Sequence, residues 1–129
     1  MANILVVEDD KDLNNAYKII LENEGHKVET AHHGEEALKK LKSFAPDLIL
    51  LDLLMPIMGG LEFLQHYDIA RKHPDVKVLI FTNMENSPEV AAAYNLGALR
   101  CIIKSWTAPQ NLARVVSDAL ESKTAKTAA

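Results

Sequence analysis

The chain has 129 residues, 48% of them hydrophobic, and its 14 Lys plus Arg stand against 18 Asp plus Glu for a formal charge of −4. That length suits one domain with a real core. The lone Cys101 excludes an internal disulfide scaffold and fits a reducing cytoplasm, and the mild acidity argues against the basic surface that direct nucleic-acid binding needs.

Residues 3–7 (NILVV) are a short continuous apolar run, the pattern of a strand buried on both faces, and Glu8, Asp9 and Asp10 follow at once. From Asp12 onward, Leu13, Ala16, Tyr17, Ile20 and Leu21 recur at helical spacing, and Gly25 suits a left-handed closing position. Residues 26–30 are a more polar strand candidate, fit for a sheet edge. Residues 35–43 (EEALKKLKS) predict a second helix, with Ala37, Leu38 and Leu41 inward and Lys39, Lys40 and Lys42 in solvent. After Pro46, residues 47–51 are the most apolar strand. The apolar stretch continues to residue 58 but is broken by Asp52 and Pro56; it is shorter than the roughly 20 residues of a membrane span, so no membrane insertion is expected. The first residues carry no basic leader either.

A third helix is expected over residues 60–72, using Leu61, Leu64 and Tyr67 with Phe63 and Ala70 beside them. Residues 76–81 are a strand that ends at Thr82, and Ser87 with Pro88 opens a fourth helix that Gly97 closes. Residues 99–103 make the fifth strand, and Thr107 with Gln110 three places on forms a capping-box pattern for the last helix. Residues 122–129 (SKTAKTAA) have nothing large to bury and read as a tail or linker stump after a domain of residues 1–121. Five strands alternating with five helices predict an α/β doubly wound parallel sheet, whose sites lie beyond the carboxyl ends of the strands.

Those ends carry Glu8, Asp9 and Asp10 after the first strand, Asp52 after the third, Thr82 after the fourth and Lys104 after the fifth. Polar residues also sit at strand exits for solvation alone, and each of these taken singly admits that reading. Asp52 is different, because it interrupts an apolar run where an unpaired carboxylate is costly to keep ionised. A cation is the simplest compensation. Carboxylates without Cys or paired His ligands favour a hard ion such as Mg²⁺ or Mn²⁺, which completes its shell with water and phosphate oxygens. A carboxylate can also attack phosphorus itself, with a metal and a cation neutralising the phosphoryl oxygens.

VVEDD after the first strand, LDLLMPIMGG around Asp52, FTN at the end of the fourth and the lysine after the fifth resemble the receiver domain of two-component response regulators, over about residues 3–121. The resemblance implies a flavodoxin-like fold with strand order 2-1-3-4-5. It implies that Asp52 takes a phosphoryl group from the phosphohistidine of a sensor histidine kinase or phosphotransfer protein, in a Mg²⁺-dependent reaction. By the family pattern Asp9 and Asp52 ligate Mg²⁺ directly, Glu8 acts through water and the backbone carbonyl of Leu54 is the third protein ligand. Lys104 and Thr82 match the residues that meet the phosphoryl oxygens, Asp10 is peripheral, and Pro56 and Gly60 match the turn after the acceptor strand. The implied protein is a cytoplasmic switch that acts on a downstream protein target and catalyses only its own phosphorylation and dephosphorylation.

Departures from the pattern are as informative. Cys101 stands where receivers carry a Tyr or Phe that moves with the threonine, and Ser105 stands where a proline follows the lysine through a cis bond. Trp106 fits packing under the last helix better than an interface. Leu54 and Met84, two residues beyond Asp52 and Thr82, are apolar and position no hydrolytic water, and Asn83 adds shielding, so a long-lived aspartyl-phosphate is expected. A haloacid-dehalogenase-type phosphatase would need an Asp where Leu54 stands, and a flavin carrier would not place three acids after the first strand. His32 and His33 are expected to serve structure rather than a metal.

Overall fold

The computed structural model describes residues 2–83, 87–104 and 109–121. Runs of Val, Ile and Leu too short for helices become the strands β1 (Asn3–Val7), β3 (Leu48–Leu51) and β4 (Lys77–Thr82), with the more polar β2 (Lys27–Ala31) and β5 (Arg100–Ile103) at the two edges. All pairings are parallel and the order is β2-β1-β3-β4-β5, as expected. Around the sheet lie α1 (Lys11–Asn23), α2 (Gly34–Lys40), α3 (Gly60–Tyr67), α4 (Ile69–Lys72), α5 (Pro88–Asn95) and α6 (Leu112–Glu121).

Successive strand side chains point to opposite faces, so each central strand feeds two cores. Leu5, Val7, Ile49, Leu51, Val78 and Ile80 pack with Phe63 and Leu64 of α3 and the alanines of α2 and α5. Ile4, Val6, Leu48, Leu50, Leu79 and Phe81 face the other way, against Tyr17 and Leu21 of α1 and Leu112, Val116 and Ala119 of α6. This two-sided burial is why those strands are apolar without alternation.

Most expected boundaries stand. Gly25 (φ 91°) and Gly97 (φ 110°) close their helices with positive φ, and the Ser87 hydroxyl accepts from the Val90 N–H at 3.2 Å. The third helix differs: it is divided at Asp68, which adopts a left-handed conformation (φ 54°), so α4 is a separate single turn. The aromatic column Phe63–Tyr67–His73, with Tyr67 and His73 stacked at 4.0 Å, runs across that break. The second helix ends at Lys40, three residues early, where Ser43 N–H turns back to the Lys40 carbonyl. The last helix begins at Leu112 after a 3-10 turn over Pro109–Asn111. Thr107 of the expected capping box, Met84, Ser105, Trp106 and the tail 122–129 lie outside the described residues.

Candidate functional site at the carboxyl ends of the strands

The register Val7↔Leu51 between neighbouring strands makes Glu8 and Asp52 leave the sheet side by side, and the Asp52 N–H donates to the Val7 carbonyl at 3.1 Å. Thr82 ends β4 paired with Ile103, and Lys104 directly follows β5. Since β4 lies between β5 and β3, Lys104 must reach across strands spaced about 4.8 Å apart, which a long flexible side chain can do. Its Nζ donates to Asp52 Oδ2 at 2.8 Å and, closer still, to Glu8 Oε1. Glu8, Asp52 and Thr82 are 3%, 6% and 1% exposed, so these polar groups are held inside the rim.

Three carboxylates meet here. Glu8, Asp9 and Asp52 each present an oxygen, all within 4.8 Å of one another, with Asp9 on the solvent side. When all are ionised, three negative charges face one ammonium, an excess of two. Burial pushes the Glu8 carboxyl above its ordinary value, although the bonds from Lys104 and from the Asp10 N–H oppose that. Burial acts to lower Lys104, but its hydrogen bonds to Asp52 and Glu8 outweigh this and raise it, so the ammonium is held charged. A compact, net-negative cluster of carboxylate oxygens fits a hard divalent cation, which would cancel the excess.

The turn from Asp52 to α3 is tightly built. A Cβ on Gly60 would stand 2.5 Å from the Asp52 carbonyl oxygen, so only glycine fits where the chain folds back on the acceptor strand. The Met58 N–H donates to the Pro56 carbonyl at 2.7 Å around Ile57, whose φ is 67°. This is a γ-turn of the strained, positive-φ kind, and a β-branched residue is the least suited to it. It leaves Ile57 and Leu54 73% and 62% exposed beside the site. The Leu54 N–H lies 3.4 Å from Asp52 Oδ1.

Other predicted residues have structural work. Asp10 caps α1, accepting from the Asp12 and Leu13 N–H groups. His33 caps α2 through Nδ1, and His32 Nδ1 lies 3.1 Å from Glu36 Oε1, consistent with their expected structural role. Two residues the sequence did not single out stand out. Asn14 is a buried polar side chain at the junction of β1 and β2. Tyr94 of α5 brings its hydroxyl to the Cys101 N–H at 2.8 Å, so an aromatic from the preceding helix meets the strand position that lacks one.

The profile of the response regulator receiver domain matches residues 4–117. A transcriptional regulatory protein, the CpxR homolog of Haemophilus influenzae, is 36% identical over 115 residues, which are 89% of this chain and 49% of that protein. The response regulator ArlR of Staphylococcus aureus is 31% identical over 115 residues, 89% of this chain and 51% of that protein. This chain thus spans about half the length of the curated relatives it matches. Among solved structures, a CheY-like receiver domain protein from Methanospirillum hungatei JF-1 has a TM-score of 0.84 at 30% identity, with 94% of each chain covered. Chemotaxis response regulator CheY4 of Vibrio cholerae has a TM-score of 0.81 at 30% identity, covering 92% of this chain and 98% of that one.

Proposed function

This chain belongs to the response regulator receiver domain family, and on that premise we propose that Asp52 is its phosphoacceptor. A carboxylate oxygen of Asp52 forms the new bond to phosphorus as the phosphorus–nitrogen bond of a donor phosphohistidine breaks, and the imidazole leaves with that electron pair. The observation that carries this reading is the Lys104 ammonium between Glu8 and Asp52, within a set of three convergent carboxylates. Lys104 would then neutralise a phosphoryl oxygen, and Thr82 would donate its hydroxyl.

Glu8, Asp9 and Asp52, with the Leu54 carbonyl, would hold Mg²⁺, which when bound supplies charge neutralisation for the transferring group. The donor is a sensor histidine kinase or phosphotransfer protein, and the output is a contact with a downstream protein target in the cytoplasm. Residues 1–121 act as the receiver and 122–129 as a tail or the stump of a linker. Because this chain spans about half of its curated relatives, the reading holds equally for a receiver within a longer regulator. No helix among the described residues is long and apolar enough to cross a membrane.

Intact-protein mass after incubation with acetyl phosphate and Mg²⁺ tests this. One phosphoryl adduct is expected, absent in Asp52→Asn and with a chelator. The apolar Leu54 at the rim further predicts slow decay of the adduct. No adduct together with unchanged amide resonances under Mg²⁺ and beryllofluoride would replace this reading with that of an unphosphorylated scaffold.

A further inference from the structure

We propose that Asn14 is a positioning residue for the candidate metal site. It acts through the Glu8–Asp9 peptide rather than by touching a ligand. This inference rests on the reading of Glu8, Asp9 and Asp52 as a Mg²⁺ site.

Asn14 sits in the first turns of α1 and is 3% exposed, although asparagine is a poor residue for a helix interior and a buried carboxamide is costly unless fully bonded. Both of its amide hydrogens are used. Nδ2 donates at 3.0 Å to the Glu8 carbonyl and at 3.0 Å to the Ala31 carbonyl, the last residue of β2. Two carbonyls facing one carboxamide require its NH₂ side, so no other orientation of the group satisfies them. The Ala31 carbonyl also accepts from the Glu8 N–H at 3.0 Å. One side chain therefore ties the exit of β1 to the exit of β2.

The consequence follows from backbone geometry. The Glu8 carbonyl belongs to the planar peptide that joins Glu8 to Asp9, so clamping it fixes the rotations on both sides of that plane. Those rotations set the direction in which the Asp9 Cα–Cβ bond leaves the chain relative to Glu8. The far side of the turn is held too, because Asp10 caps α1 and its N–H donates to Glu8 Oε2 at 3.1 Å. Asp9, exposed on the solvent side of the cluster, is aimed by these two anchors. Outer residues that orient metal ligands typically change affinity by about 10–100-fold when removed.

The test is Mg²⁺ affinity, read from amide resonances of the folded protein without any phosphodonor. Asn14→Leu keeps the volume and favours the helix but removes both donors. Val116→Ala, on α6 and fully buried in the apolar core, controls for lost stability alone. Asn14→Leu is expected to bind Mg²⁺ about tenfold or more weakly, and Val116→Ala like the wild type. Asn14→Leu within about twofold of the wild type overturns the proposal. A wild type that binds no Mg²⁺ overturns the metal reading itself, and the proposal with it. If Asn14→Leu does not fold, the wild type still decides. The Asn14 side-chain amide protons must exchange slowly with water and shift as Mg²⁺ is added, and fast exchange with no shift overturns the role.

Discussion

The two ends of the sheet carry the same residue types and use them differently. At the carboxyl end, Glu8 and Asp52 both accept from Lys104, and Asp9 brings a third carboxylate beside them. At the amino end, Asp47, Asp75 and Lys77 line an open cavity of about 340 Å³ with Ala2 and Leu120. There the polar groups bond to backbone instead: Asp47 accepts from the Asn3 N–H at 2.8 Å, and Lys77 donates to the Leu120 carbonyl at 2.8 Å near the end of α6. Asp47 and Lys77 thus finish a strand and a helix end, Asp47 exposed and Lys77 half-buried. At the carboxyl end Glu8, Asp52 and Lys104 are withdrawn from water and bonded to one another, with Asp9 exposed beside them, which leaves excess negative charge suited to a cation. Composition at a rim therefore says little about function. Burial and the choice of partner separate the two ends.

Lysine removal at each end is the most direct way to break that contrast. Lys104→Met leaves Glu8 and Asp52 facing each other without their ammonium, and stranding one partner of a buried ion pair costs about 3–5 kcal/mol. Lys77→Met removes one half-buried hydrogen bond to the end of α6 and is expected to cost about 1 kcal/mol. Urea midpoints of the two variants measure the difference, and equal losses would erase the contrast. The Lys104→Met deficit should also shrink on acidification, as Glu8, already raised by burial, takes a proton and relieves its repulsion with Asp52.

Strain sharpens the same comparison. Among the described residues, positive φ outside glycine occurs at Ile57, beside the site, and at Asp68, in the break between α3 and α4. Asp tolerates the left-handed region; Ile does not. Ile57→Asn keeps the γ-turn with a residue suited to it and gives up little buried surface, since the side chain is mostly exposed. It is expected to stabilise the fold by about 1 kcal/mol. No gain in the thermal midpoint would mean that the turn relaxes around Ile57 and stores no strain.

What the sequence disclosed follows from the physics that wrote it. Strands buried on both faces must be apolar throughout, so β1, β3 and β4 were legible, and the polar residue ending each run marked the rim. Asp52 was legible because it breaks an apolar stretch. Asp68 was hidden because helical spacing of apolar residues continues through Tyr67 and Ala70, and periodicity does not register one reversed φ. Ile57 was hidden more deeply: its chemistry argues against the conformation it adopts, which the closure of the turn imposes. Asn14 lies among charged residues at the start of α1 and reads as solvated. Its burial follows from where two strand ends fall, which is tertiary information. Tyr94 reads as an ordinary helix residue until β5 is set beside it.

The smallest expected effect, and the one that separates the two ends by sign, is the response to pH. Burial lowers the His26 imidazole from its ordinary value near 6.5, with Glu24 opposing in part. Its Nδ1 accepts from the Ala2 N–H at 3.1 Å, at the start of β2 on the amino-end side, and a proton on that nitrogen ends the bond. Because the unfolded chain binds this proton more readily, the contribution of His26 is present above about pH 6.5 and is lost as pH falls through the lower folded value. Lys104 runs the other way: raised in the fold, it contributes fully below about 10.5, and that contribution is lost as pH climbs through the higher folded value. Acid therefore loosens the amino end through His26, and alkali loosens the carboxyl end through Lys104. Urea unfolding of the wild type and His26→Gln between about pH 7.5 and 5.5 isolates the first effect, because the wild type should lose stability more steeply there than the variant. Parallel curves would show that the Ala2 N–H finds an equal partner when the ring is charged, and that His26 adds no titrating contact to the amino end.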